Sequence, residues 1–176
     1  MSEALPGWLP ELLDTNGTWD EIRARLYEVF ERDFKQGKPK FKGLPVWWDR
    51  RFEDDPHEEG FWHLVTRDDK ETGERLLETP RAKRLAWCRA TIDHCGEAEV
   101  LVFDYLEGDG KVRTYLWVKT ADYVVILGKT FRKKKAVAYM LVTAFFLDGP
   151  SRRRAMQKKY DNRVQENAIA APEDGE

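Results

Sequence analysis

The chain has 176 residues, 41% of them hydrophobic and 35% charged, seven Trp and a formal net charge of −2, which suits one globular domain with a real core. No stretch approaches the ~20 apolar residues of a membrane span, and residues 1–6 lack the basic and apolar runs of a secretory signal. Cys88 and Cys95 match neither a zinc site nor a disulfide framework, so a soluble cytoplasmic protein with reduced thiols is expected.

Residues 1–17, punctuated by Pro and Gly, read as a surface segment. Thr18 and Glu21 fit a capping box, and Ile22, Leu26, Val29 and Phe30 share one helical face. A helix over 19–34 follows, stopping before Gly37 and Pro39. Pro45 beside Trp47 and Trp48 allows at most a short edge strand within 41–52, and 54–60 is an acidic loop. The run Phe61, Trp62, His63, Leu64, Val65, Thr66 reads as a strand, with a charged loop through Gly73. Thr79 and Pro80 form an N-cap and first-turn pair for a helix reaching about residue 94. Strands are predicted over 99–105 and 113–119, joined across Glu107-Gly108-Asp109-Gly110. Two more, 123–127 and 136–146, flank a basic turn. Gly149, Pro150 and Ser151 open a last helix to about 165, and 166–176 form a loose acidic tail. Helices followed by a meander of strands mean an α+β fold. One domain over 18–165 is expected, with an antiparallel sheet and a basic C-terminal helix.

The charge is unevenly spread. Residues 1–60 carry fourteen Asp/Glu against nine Lys/Arg, whereas 129–163 carry eleven Lys/Arg against two Asp. That basic block, which includes Lys135 and Lys159, is the footprint of a polyanion binder or a solvated face. On an alternating strand His63 would lie with Phe61 and Val65, opposite Thr66. It reads as a hydrogen-bonded structural residue or as a general acid or base. Alternation over 139–146 puts Tyr139 and Thr143 on one face, with Met140, Val142, Ala144 and Phe146 on an apolar core face. Arg81, Lys83 and Arg84 near a helix start suit a bound phosphate, or else form a solvated face. No metal constellation, phosphate-binding glycine loop or Ser-His-Asp pattern stands out, and no cofactor is expected.

Five pieces occur in order across 41–163. They are His63-Leu-Val-Thr66, then Arg81-x-x-Arg84-Leu-x-Trp87, then Tyr115-Leu-Trp117 with Asp122-Tyr-Val-Val-Ile-Leu127, then Tyr139-x-Leu-Val-Thr143-Ala, and finally Lys158-Lys-Tyr-Asp-Asn-Arg163. This series resembles phage- and prophage-associated nucleases of the barnase–EndoU–colicin–RelE-like superfamily. The resemblance implies helices packed on a four- or five-stranded antiparallel sheet. It also implies a metal-independent endoribonuclease that cleaves by 2′-hydroxyl attack and leaves a cyclic phosphate. His63, Arg84, Tyr139 and Thr143 would form the catalytic set, with Thr66, Arg67, Arg81, Lys135 and Lys159 holding the RNA. An immunity or antitoxin protein is the partner the family suggests. The Glu/His pair of barnase itself is not readable here, which leaves a single-His scheme with Tyr139 as partner. The rival reading is a non-catalytic RNA- or protein-binding module of a phage-derived gene cluster. A third is an assembly protein using the aromatic segment 41–62 as an interface.

Overall fold

The structure is a computed structural model and describes residues 3–53 and 56–165; the predicted acidic tail lies outside the described residues. Helix α1 (Trp19–Phe30) begins at the expected capping box. Glu21 N donates to Thr18 Oγ1 at 3.3 Å and Thr18 N to Glu21 Oε2 at 2.8 Å. The chain then continues as a π-helical turn, Glu31–Gln36, which carries Phe34 into the core filled by Leu26 and Phe30.

Two short strands follow, β1 (Lys40–Phe41) and β2 (Leu44–Trp47). Residues 61–65 then depart from the predicted strand, of which only Thr66 is extended. Helix α2 spans Glu59–Val65. Its first-turn amides are met by distant carbonyls: Glu59 N donates to Arg51 O and Gly60 N to Asp49 O, each at 2.8 Å. Gly60 is needed for that approach, because a Cβ there would lie 2.9 Å from Trp48 Cβ. Phe61, Trp62, Leu64 and Val65 are all buried, so packing overrides strand propensity.

Strand β3 (Thr66–Asp68) pairs with β4 (Arg75–Leu77) in a separate two-stranded ribbon. The predicted helix from Thr79 is two helices, α3 (Thr79–Lys83) and α4 (Leu85–Asp93), broken at Arg84 with φ −102° and ψ 14°. Glu78, not Thr79, is the N-cap residue of α3. The meander comprises β5 (Val100–Leu106), β6 (Val112–Val118), β7 (Tyr123–Arg132) and β8 (Lys135–Phe146). Helix α5 (Pro150–Asp161) closes the described chain apart from a few residues.

The main sheet has six strands in the order β1-β2-β8-β7-β6-β5, antiparallel except where β2 runs parallel to β8. β2 is therefore an inner strand rather than an edge. Alternation on β6 and β7 divides the interior. Leu116, Val118, Val125 and Leu127 join the large core with α1, α2 and α4, whereas Tyr115, Trp117, Val124 and Ile126 join a smaller core with Met156 of α5. Helices thus cover both faces of an α+β fold. Among the described residues no helix is long and apolar enough to cross a membrane.

The alternation expected over 139–146 breaks inside β8. Thr143 pairs with Ile126 but Leu141 with Leu127, so Val142 is the extra residue of a bulge. Tyr139 and Leu141, expected on the more polar face, lie in the large core, and Met140 and Val142 are only partly buried.

Candidate functional site

An open cleft of about 540 Å³ lies between α2, the β3–β4 ribbon and the bulged part of β8; its lining includes Glu59, His63, Thr66, Arg67, Arg75, Arg81 and Thr143. Glu59 and His63 sit one helical turn apart on α2, where i and i+4 side chains meet. The Glu59 carboxylate is 3% exposed, accepts from Arg75 Nη2 at 2.9 Å and lies 3.6 Å from His63 Nε2. Its other oxygen, Oε1, is buried with no hydrogen-bond partner among the described residues. The Arg75 guanidinium also lies over the Trp62 ring. The His63 side chain is 45% exposed at the cleft.

The last carbonyls of a helix have no partner inside it, and in α2 three of the expected site residues fill that need. Arg81 Nη1 donates to His63 O at 3.0 Å and to Thr66 O at 3.1 Å. Thr143 Oγ1 donates to His63 O at 3.3 Å, and Thr66 Oγ1 to Trp62 O at 2.7 Å. Arg81 Nη2 is further paired with Glu78 at 3.2 Å. These side chains fix the position of His63 from behind. Arg67 is exposed at the rim.

Four expected site residues lie elsewhere. Arg84 donates from Nη1 to Pro80 O at 2.8 Å and stacks 3.8 Å over the Phe146 ring, with Trp87 nearby. Burial holds its guanidinium pKa below the ordinary value. Tyr139 is 3% exposed, edge-on to Phe41 at 4.8 Å, and burial raises the pKa of its phenol. Lys135 is exposed at the β7–β8 turn. Lys159 of α5 donates to Tyr115 Oη at 2.9 Å and lies 3.5 Å from Glu107, on the face of the sheet opposite α2. The exposed Arg152, Arg153 and Arg154 belong to that same helix, with Arg153 paired to Asp122 at 2.9 Å.

Glu59 and Arg75 escape the sequence reading. Their only signal was the four-residue interval between Glu59 and His63, which means proximity on a helix but not on a strand. His57 and Glu58, assigned to an acidic loop, are buried immediately before α2. Tyr27 Oη donates to Glu58 Oε1 at 2.9 Å, and Lys35 Nζ donates to Tyr27 Oη at 3.0 Å and to Glu58 at 3.1 Å. The His57 ring stacks on Tyr27 at 3.8 Å between centroids. Cys88 is fully buried, and burial drives its thiol pKa well up. Among the described residues no group of three or more His, Cys, Asp or Glu side chains is arranged to hold a metal ion.

Comparison with protein-family models, curated proteins and solved structures finds no match for this chain.

Proposed function

We propose that this protein is a metal-independent endoribonuclease that cuts RNA at the α2 cleft by attack of the ribose 2′-hydroxyl, leaving a cyclic phosphate. The observation that carries the reading is the Glu59–His63 pair, a half-exposed imidazole beside a buried carboxylate, in a cleft also lined by arginines. In this mechanism His63 accepts the 2′-hydroxyl proton while the 2′-oxygen bonds to phosphorus and the bond to the 5′-oxygen breaks. The leaving 5′-oxygen takes a proton from water at the open mouth of the cleft. Glu59 places its carboxylate 3.6 Å from the ring nitrogen, opposite in charge to the imidazolium formed in this step. Arg67 and Arg75 face the phosphate, where guanidinium groups stabilise developing charge. Thr143, Thr66 and Arg81 are positioning residues. Tyr139, buried away from the cleft, is not the proton donor in this scheme. The order of motifs along the chain and the α+β arrangement support membership of the barnase–EndoU–colicin–RelE-like superfamily, in which an immunity or antitoxin protein would be the partner.

A second reading, a non-catalytic RNA- or protein-binding module, is favoured by one observation: Thr143 and Arg81 are engaged with peptide carbonyls of α2. Incubating the full chain with total RNA and a chelator separates the two. Fragments ending in 2′,3′-cyclic phosphate, lost in His63→Ala, support the nuclease. Salt-sensitive binding without cleavage supports the module.

A further inference from the structure

We propose that a hollow beside the cleft, walled by Trp47 and Met140, binds one nucleobase of the strand whose phosphate occupies the cleft. This rests on the ribonuclease reading. Trp47 of β2 and Met140 of β8 stand opposite each other in parallel register, and with Trp48, Asp49, Arg50 and Arg51 they line a hollow of about 640 Å³. Trp48 is a fixed wall. Phe30 and Phe34 meet it edge-on at 5.8 and 6.4 Å, and the Arg50 guanidinium lies 4.6 Å over its ring. Trp47, half-buried like Trp48, differs in that among the described residues no ring or cation stacks on it.

The hollow and the cleft both border β8. Met140 lines one and Val142 the other, two residues along the same strand, about 7 Å at 3.3 Å per residue. Asp49 and Arg51, in the wall of the hollow, supply the carbonyls that bind the first amides of α2, the helix that carries Glu59 and His63. The hollow brings together an aromatic surface and two exposed arginines, Arg50 over the Trp48 ring and Arg51 paired with Asp49 at 2.6 Å and with Glu53 at 3.0 Å. A phosphate would have to compete with those carboxylates for Arg51. Bases of any sequence stack on the ring, and guanidinium groups take the phosphates. Cross-strand packing of Trp47 on Met140 explains the pair on its own, but not a half-buried ring without a stacking partner among the described residues in a hollow also lined by Arg50 and Arg51.

The test uses the full chain and a short 2′-O-methyl RNA, which binds but cannot be cleaved, with fluorescence anisotropy as readout. A series of the same strand, each carrying one abasic nucleotide at a different position, needs no protein variant. One position is expected to weaken binding by about 5- to 150-fold, the range of a single base–aromatic stack. In Trp47→Ala the intact strand should weaken by a similar factor, and the abasic penalty at that position should vanish; Trp47→Phe should keep most of the affinity. Equal affinity for every abasic strand, or a Trp47→Ala variant that melts like wild type and binds like it, overturns the subsite while leaving cleavage untouched. Binding of a peptide but not of RNA would overturn it as well. Absence of cleavage of ordinary RNA, with the abasic and Trp47 effects intact, would end the nuclease reading and leave the subsite as part of a binding module.

Discussion

The Thr143 hydroxyl donates to the His63 carbonyl at 3.3 Å, tying the bulged strand β8 to the last turn of α2 across eighty residues of sequence. The bond joins two residues expected to act at one site, through the backbone of the first rather than its imidazole. Thr143→Val should therefore cost about 1 kcal/mol of stability, the net worth of a neutral hydrogen bond, and lower cleavage modestly as His63 loses its fixed position. Thr143→Ser should restore both. Urea titration and single-turnover cleavage measure the two effects. A loss of RNA affinity at unchanged stability would make Thr143 a direct phosphate ligand instead.

Glu59 is the sharper target. Glu59→Ala removes one partner of a largely buried ion pair with Arg75 and should destabilise by about 3 kcal/mol or more. Glu59→Gln keeps an acceptor for Arg75 and should fold, yet it withdraws the charge beside His63. His63→Ala should lower the cleavage rate by about 10²–10⁴-fold. If the pair acts as a unit, the Glu59→Gln/His63→Ala double variant should lose less than the two single effects added. Strict additivity, measured by single-turnover kinetics, would separate Glu59 from the chemistry.

Arg84 calls for the opposite pattern. Its guanidinium lies over Phe146 and Trp87 and bonds the Pro80 carbonyl, so Arg84→Ala should lower stability by about 1–2 kcal/mol through lost stacking and packing. RNA affinity and cleavage by the folded variant should be unchanged. An unaltered melting temperature with cleavage abolished would return Arg84 to the phosphate.

Lys35 gives a pH test of the network behind α2. Its hydrogen bond to Tyr27, joined by Glu58, pushes its pKa from the ordinary 10.5 up to about 12. A raised folded-state value favours the charged form in the native state. Its stabilising effect is complete below pH 10.5 and is lost as pH rises through about 12. Burial raises the Tyr27 phenol pKa, so that hydroxyl acts in the same direction. The stability gap between wild type and Lys35→Met should stay constant from about pH 8 to about pH 10 and then close. Urea midpoints at a series of pH values would show it, and a gap that widened with pH would refute the network.

What the sequence determined is local. The Thr18–Glu21 capping box, the 107–110 hairpin and the strands and helix after it are encoded in residues a few positions apart, where spacing alone identifies the partners. Three features belong to the tertiary structure. Residues 61–65 became helix because carbonyls of Asp49 and Arg51 meet the first amides of α2 and four apolar side chains bury at once. That outcome put Glu59 one turn from His63, creating a pair invisible on a strand. The bulge at Val142 reversed the inferred faces of β8 on its N-terminal side, sending Tyr139 into the core while Ala144 kept its expected core position. The break at Arg84 took its side chain onto Phe146. Each was decided by contacts between segments far apart in the chain, whose energies exceed the small local preferences that a sequence displays.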